Sequence, residues 1–159
     1  EFDNISWYGR GPHESYWDRK SGAKVGVYRG KVKDQYHPYI RPQENGNKTD
    51  VRWVALTNKA GIGLLVVGDP LLSVSAHHFL SEDFDSGDKK RQRHASDLKT
   101  RELVNLNLDY KQMGVGGDTS WGARPHPQYR LPAQEYTYSF KLRPFSSKQH
   151  NPMKLSKYK

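Results

Sequence analysis

The chain contains no cysteine among its 159 residues. Disulfide bonds and thiolate chemistry are therefore excluded, and the compartment stays open between cytoplasm and periplasm. No apolar run approaches the roughly 20 residues that span a bilayer, and no signal peptide is evident, so we expect no membrane partner. The first residues, Glu1 to Asn4, lack an initiator methionine, and we expect the chain to be a piece of a longer protein.

Long helical patterns are also missing, and short alternating patterns take their place. Apolar and polar residues alternate over residues 101–111 and again over 136–143, which is typical of half-buried antiparallel strands. We expect a strand break at Asp69-Pro70 and a short helix after Ser81. Further strands are expected at 5–8, 23–32, 49–57, 62–67 and 72–76. The sequence therefore predicts an all-β fold of packed antiparallel sheets, a β-sandwich.

Apolar residues are scarce, at 34% of the chain, and the mean hydropathy is −0.97. The 10 Tyr, 5 Phe and 4 Trp residues offset this scarcity, because aromatic side chains bury large areas. One domain with a thin sheet core is expected over residues 1–145. Residues 146–159, with four lysines and few large apolar residues, are expected to be a disordered basic tail.

The net charge of +9 would suit a polyanion partner. Its distribution argues against nucleic acid, because the two clusters of basic residues, in the tail and in a loop-like stretch at 89–93, lie on no recognisable element for reading nucleic acid. A basic module for single-stranded nucleic acid would interleave cations with stacking aromatics on one sheet face. We therefore expect no nucleic-acid partner.

The most informative stretch follows the alternating pattern of 101–111. Three glycines fall within four positions, at Gly114, Gly116 and Gly117, so the backbone can adopt positive φ or closely approach another segment. Polar groups and an indole come next, and such a combination is common where sugars bind. The candidate sugar-binding residues are Asp118, Ser120 and Trp121.

Two alternatives for this stretch remain open. A phosphate-binding glycine loop would need a following Lys-Ser/Thr pair and a helix, and neither is present. Trp121 could instead be a core residue, since tryptophan is highly buried on average. Residues 122–127, with two prolines and a glycine, favour an irregular loop, and loops carry function more often than packing.

Acidic residues offer no single catalytic pair. Glu14 and Asp18 lie near Arg10 and Arg19, so they could form a salt-bridged turn or place a carboxylate in a site. Among 17 acidic residues, pairs such as Glu14 with Asp18, or Glu44 with Asp118, stay open. The sequence shows no metal-binding pattern of spaced His, Asp or Glu, and no cofactor or catalytic residue is assigned to this chain.

Three segments together resemble a known family. They are Trp-Tyr-Gly-Arg-Gly-Pro-His-Glu-Ser-Tyr-Trp-Asp-Arg at 7–19, Pro-Tyr-Ile-Arg-Pro-Gln-Glu-Asn-Gly at 38–46 and Met-Gly-Val-Gly-Gly-Asp-Thr-Ser-Trp at 113–121. In this order they resemble the C-terminal, small-chain domain of the large β-galactosidases of glycoside hydrolase family 2. The resemblance covers about residues 5–145 and implies a large antiparallel sandwich of the galactose mutarotase-like type, here a partial copy.

The resemblance also implies a division of labour. In the family the catalytic glutamates, the magnesium and a monovalent cation belong to other domains, including a barrel that needs more residues than this chain has. The terminal domain closes one side of the pocket and contributes a tryptophan that meets the sugar, and Trp121 matches it. We therefore expect a domain that is non-catalytic alone, with a galactoside and the remaining enzyme domains as partners and homo-oligomerisation as a possible further association.

One alternative of another class remains open beside this interpretation. The chain could be a free-standing carbohydrate-binding or mutarotase-like domain. A mutarotase would use a histidine and a carboxylate on the concave face of the sheet, for which His13 with Glu14 or Glu44 are the candidates.

Overall fold

The computed structural model describes residues 2–85, 93–119 and 121–158, and most of its regular structure is antiparallel sheet. The all-β class expected from the sequence is confirmed. Among the described residues, no helix has the length and apolar character needed to cross a membrane. The strands are β1 Asn4–Gly11, β2 Lys24–Lys31, β3 Lys48–Thr57, β4 Ile62–His77, β5 Asn105–Asp109 and β6 Ser139–Ser146, and the short helices are α1 Ser81–Phe84 and α2 Pro152–Leu155.

The six strands form one sheet in the order β2-β1-β3-β4, and both β5 and β6 pair with β4. All pairings are antiparallel. β4 is 16 residues long and pairs with β3 along one edge. On its other edge, residues 62–69 pair with β6 and residues 73–77 pair with β5. The segment after β5 therefore leaves the sheet close to the point where β4 changes partner.

The strand break expected at Asp69-Pro70 is wrong, because β4 continues through both residues. Proline cannot donate a hydrogen bond to a neighbouring strand. Pro70 lies between the β6-paired and β5-paired parts of β4, where the ladders leave positions 70–72 without a partner on that edge. The missing N–H is tolerated there. The last strand also begins later than the alternation predicts, at Ser139 rather than at 136.

Apolar side chains are buried on both faces of the sheet. β1 shows the alternation directly, since Ile5 and Trp7 are buried while Ser6 and Tyr8 are half-buried. One cluster gathers Ile5, Trp7, Val32, Val51, Val54, Leu56, Val66, Leu72, Val74 and Ala76. A smaller cluster on the other face gathers Trp53, Ala55, Leu65 and Phe145. The larger cluster supplies an apolar face of the kind that one layer of a sandwich packs against the other.

Residues 146–158, where the sequence predicts a disordered tail, turn back onto the smaller cluster in the structure. Asn151 accepts a hydrogen bond from the N–H of Met153 at 2.8 Å and so caps α2. Met153 and Leu155 are partly buried against the cluster around Trp53. The carbonyl of Leu155 accepts a hydrogen bond from Arg143 on β6 at 3.4 Å. The described part of this segment therefore makes both apolar and polar contacts with the sheet.

Candidate functional site

The glycine segment, residues 113–119, follows β5 and rests on the turn at residues 16–19. The buried Gly114 donates its N–H to the carbonyl of Tyr129 at 2.8 Å. Asp18 accepts hydrogen bonds from the N–H groups of Val115 at 3.2 Å and Gly116 at 2.8 Å. A Cβ at Gly114 would lie only 2.7 Å from Asp18 Oδ2 and 2.9 Å from Tyr129 Cβ. Glycine is thus needed at position 114 for close packing.

Positive φ, the other property expected of these glycines, occurs elsewhere. Among the described glycines it is found at Gly46, Gly61 and Gly122. Gly117 again serves close approach, because a Cβ there would lie 2.4 Å from the carbonyl oxygen of Ala123. The tight approach of residues 117 and 123 folds the chain between them into a projecting loop, and Gly122, with a φ of +97°, follows Trp121 in it.

Trp121 projects from this loop with 93% of its surface exposed, so it is no part of either apolar cluster. Asp118, four-fifths exposed, lies on the same loop, and its Oδ1 is 2.8 Å from His126 Nε2. Thr119 Oγ1 accepts a hydrogen bond from the N–H of Trp121 at 3.3 Å. The predicted site residue Ser120 lies outside the described residues. The structure therefore places Asp118 and Trp121 together on one exposed loop.

Aromatic residues form the base on which the loop sits. Trp17 meets Tyr129 edge to face, with 6.0 Å between the ring centroids. The Lys111 ammonium lies 5.0 Å from the ring centroids of both Trp17 and Tyr110, at distances typical of cation–π contacts. Trp17 and Tyr110 also line a 280 Å³ cavity beside Pro70 and Leu71. The loop base is therefore packed, while the Trp121 end faces solvent.

For residues 14–19 the sequence leaves two interpretations open, a salt-bridged turn or a site carboxylate. The structure shows one salt bridge within this turn. Arg19 Nη2 pairs with Glu14 Oε1 at 2.5 Å. Glu14 also accepts hydrogen bonds from the hydroxyl of Tyr39 and from the N–H of Gly46. Burial acts to raise the pKa of Glu14, but these hydrogen bonds outweigh it and hold the pKa below its usual value. Glu14 thereby connects the turn to the loop at 37–46.

Glu44, the other carboxylate singled out by the sequence, has different neighbours. Its Oε1 lies 3.5 Å from the hydroxyl of the buried Tyr16. Desolvation by surrounding protein, followed by the nearby Asp109 carboxylate, raises the pKa of Glu44. Asp118 pairs instead with His126, so the two members of the suggested Glu44 and Asp118 pair have separate partners.

A buried polar cluster beneath the 37–46 loop was missed by the sequence analysis. Lys48 is 4% exposed, its ammonium donates to the Gly46 carbonyl at 2.9 Å, and burial lowers its pKa to about 8. His77 Nε2 lies 2.9 Å from the Asn45 carbonyl oxygen, and burial lowers the pKa of His77 too. Lysine is almost never fully buried, so no sequence signal identifies Lys48.

No group of three or more His, Asp or Glu side chains that could hold a metal ion occurs within the described ranges. The Asp118 and His126 pair supplies two such side chains on an exposed loop. Stable protein sites for zinc use at least three protein ligands. The described residues therefore give no positive indication of a metal centre.

Sequence comparisons identify related proteins. A family model described as "Beta galactosidase small chain" matches residues 1–142. The β-galactosidase of Priestia megaterium (strain DSM 319 / IMG 1521) is 49% identical over 144 residues, covering 90% of this chain and 13% of that protein. The β-galactosidase of Vibrio cholerae serotype O1 is 37% identical over 139 residues, covering 87% of this chain and 12% of that protein.

A third relative gives the same picture. The β-galactosidase of Pseudoalteromonas haloplanktis is 33% identical over 138 residues, which cover 87% of this chain and 12% of that protein. The chain thus spans about an eighth of the length of these relatives. The family model covers nearly all of the sheet, the glycine segment and the Trp121 loop. The chain therefore belongs to the β-galactosidase small chain family.

Proposed function

We propose that this chain is the sugar-facing, non-catalytic domain of a β-galactosidase and that its Trp121 loop completes the galactoside pocket. The observation that carries the proposal is the 93% exposure of Trp121 on a loop whose base is held by hydrogen bonds to Asp18 and Tyr129. Covering this exposed indole with a ligand removes apolar area from water, which is favourable. A pyranose ring suits this surface, because its C–H face stacks on an aromatic plate.

The polar groups of the loop complement such a sugar. Asp118 is exposed and has a histidine partner at 2.8 Å, so its carboxylate oxygens can accept hydrogen bonds from sugar hydroxyls. Ser120 stays a proposed member of the site on its sequence position alone. Trp121, Asp118 and Ser120 would thus orient the sugar, while the chemistry takes place on residues outside this chain.

The complete enzyme would hydrolyse terminal β-D-galactosides such as lactose. Retaining hydrolysis needs two carboxyl groups about 5–5.5 Å apart on either side of the scissile bond. We propose that the other domains supply them, together with magnesium and a monovalent cation. The partners of this chain would then be those domains and the galactoside. In the β-galactosidases of Priestia megaterium and Vibrio cholerae, the matched region is a small part of a longer chain, which favours this proposal over a free-standing sugar-binding domain.

The test replaces Trp121 with Ala in the complete enzyme. We expect KM for a β-galactoside to rise about two- to tenfold, because the stacking contribution, about 0.5–1.5 kcal/mol by analogy with other aromatic contacts, is removed. The melting temperature should stay unchanged, since Trp121 is exposed. Tyr158→Ala removes another exposed aromatic, 65% accessible and outside the loop, and serves as the matched control. A Trp121→Ala enzyme that binds galactosides as the parent does would refute the proposal.

A further inference from the structure

We infer that Asp18 is a positioning residue whose carboxylate holds the glycine segment in the bend that presents Trp121. The inference rests on the proposed function for its effect on sugar binding, but not for its effect on the loop. Asp18 Oδ1 accepts from the N–H of Val115 at 3.2 Å, and Oδ2 accepts from the N–H of Gly116 at 2.8 Å. Each oxygen thus serves one of two successive amides.

Asp18 itself is held in place by the turn that carries it. Tyr16 and Arg19 exchange two backbone hydrogen bonds, of 3.1 and 2.9 Å, which leaves residues 17 and 18 at the tip. Tyr16 is 2% exposed, so the turn is anchored in the interior. Because the turn is fixed, the carboxylate arrives at the glycine segment in a defined position and loses little freedom on binding the amides.

The two tip residues, Trp17 and Asp18, contact opposite ends of the segment 114–129, which contains Trp121. Asp18 binds the amides that precede the Trp121 loop, while Trp17 packs edge to face against Tyr129, which follows it. The Tyr129 carbonyl in turn accepts the N–H of Gly114. The two ends of this segment are therefore fixed to each other and to the turn, and Trp121 projects from the chain between the two ends.

The geometry is specific for a short carboxylate. Position 114 leaves no room for a Cβ, which would lie 2.7 Å from Asp18 Oδ2, so the backbone and the carboxyl group are already in close contact. A longer Glu at position 18 would have to displace the segment. The bonds are also charge-assisted, and hydrogen bonds to an ionised acceptor are roughly twice as strong as neutral ones. Asn at position 18 would keep the shape and one acceptor oxygen.

The experiment compares Asp18→Ala, Asp18→Asn and, as a matched loss of one exposed carboxylate, Asp34→Ala. The first measurement is amide hydrogen exchange by NMR on this chain. We expect Asp18→Ala to accelerate exchange at Val115 and Gly116 at least several-fold, Asp18→Asn to give an intermediate rate, and Asp34→Ala to have no effect. Exchange at the core residues Val54 and Leu65 should not change, which separates loss of the anchor from loss of the fold.

The second measurement is made on the complete enzyme. Asp18→Ala should raise KM for a β-galactoside several-fold with a smaller change in kcat, and Asp18→Asn should restore part of the loss. Unchanged exchange at Val115 and Gly116 in Asp18→Ala would overturn the inference even if Trp121→Ala weakens binding. Faster exchange in Asp18→Ala, with Trp121→Ala binding sugar normally, would uphold Asp18 as the anchor and refute the proposed sugar contact of Trp121.

Discussion

Lys48 shows how a single buried charge sets a pH dependence of stability. Its pKa in the folded chain is about 8, below the ordinary 10.5, because burial disfavours the ammonium. Below pH 8 the group is charged in both the folded and the unfolded chain, so the full penalty applies. Between pH 8 and 10.5 the folded chain has released a proton that the unfolded chain still holds. The free energy of unfolding therefore rises with pH in this window.

Replacing Lys48 with Met should remove this dependence. We expect the wild-type chain to gain about 2 kcal/mol of unfolding free energy from the Lys48 proton between pH 7 and pH 9.5, since one pKa unit corresponds to about 1.4 kcal/mol. Lys48→Met keeps the apolar stem and should show a flatter profile. Urea unfolding at both pH values measures the difference. The exposed Lys33→Met is the control, and parallel profiles for wild type and Lys48→Met would contradict the prediction.

Residues differ in how far the sequence reveals them. Trp121 and Asp118 could be proposed as sugar-binding residues because glycines, prolines and polar groups cluster around them in the chain, and that role stays a prediction. The role of Asp18 could not, because its partners lie 97 and 98 positions away, and the sequence left it between a salt bridge and a site carboxylate. The burial of Lys48 could not be predicted from the sequence either, because it depends on Gly46 and His77, which the fold brings together at the start of β3.

At the scale of elements, alternation located the strands better than it located their ends. β3 and the start of β4 agree closely with expectation, because a short turn joins two regular apolar patterns. β4 runs past Asp69-Pro70 because it changes partner there, which is a property of the sheet and not of the local sequence. The strand expected at 101–111 narrows to Asn105–Asp109, where β4 is available for pairing.

The helix α2 provides the clearest test among the elements. Removing residues 151–159 deletes Met153 and Leu155, which cover the cluster around Trp53 and Leu65. We expect a loss of about 1–3 kcal/mol for two partly buried apolar side chains, and so a melting temperature lower by several degrees for a chain of this size. Calorimetry or thermal circular dichroism measures the change.

The control for this truncation is a double substitution, Lys154→Ser with Lys157→Ser, which alters the charge of the same segment and spares Met153 and Leu155. It should leave the melting temperature nearly unchanged. The disordered tail predicted from the sequence has a different consequence: limited proteolysis would remove it first, and the melting temperature would not fall. The two measurements together decide between the contacts of α2 and a free tail.

At the scale of the molecule, the sheet exposes surfaces that suit further protein. Val25 and Val27 on the outer strand β2 are 44% and 45% exposed, and Leu142 on β6 is 56% exposed. Where such residues form a contiguous apolar patch, the patch marks an interaction surface. The chain corresponds to 12–13% of the relatives reported above, and the other domains of such an enzyme are the partners we propose.

The last prediction concerns the activity of the isolated chain. Three of the carboxylates considered from the sequence have other tasks in the structure: Glu14 binds Arg19 and Tyr39, Asp18 binds two amides, and Asp118 pairs with His126. A carboxyl group that acts as a general acid needs a raised pKa. Among the described carboxylates Glu44 comes nearest to this, because desolvation and Asp109 raise its pKa. It lies exposed on the loop at 37–46, whereas hydrolysis calls for a site that excludes water.

We therefore expect the purified, folded chain to release no product from a chromogenic β-galactoside above the buffer background. Far-ultraviolet circular dichroism with a sheet spectrum establishes that the sample is folded. Glu44→Gln and Asp118→Asn are assayed alongside, because each removes one candidate carboxylate and keeps its shape. Turnover by the parent chain that disappears in either variant would place catalytic chemistry in this domain, and would contradict the division of labour in which the Trp121 loop binds the sugar and other domains cleave it.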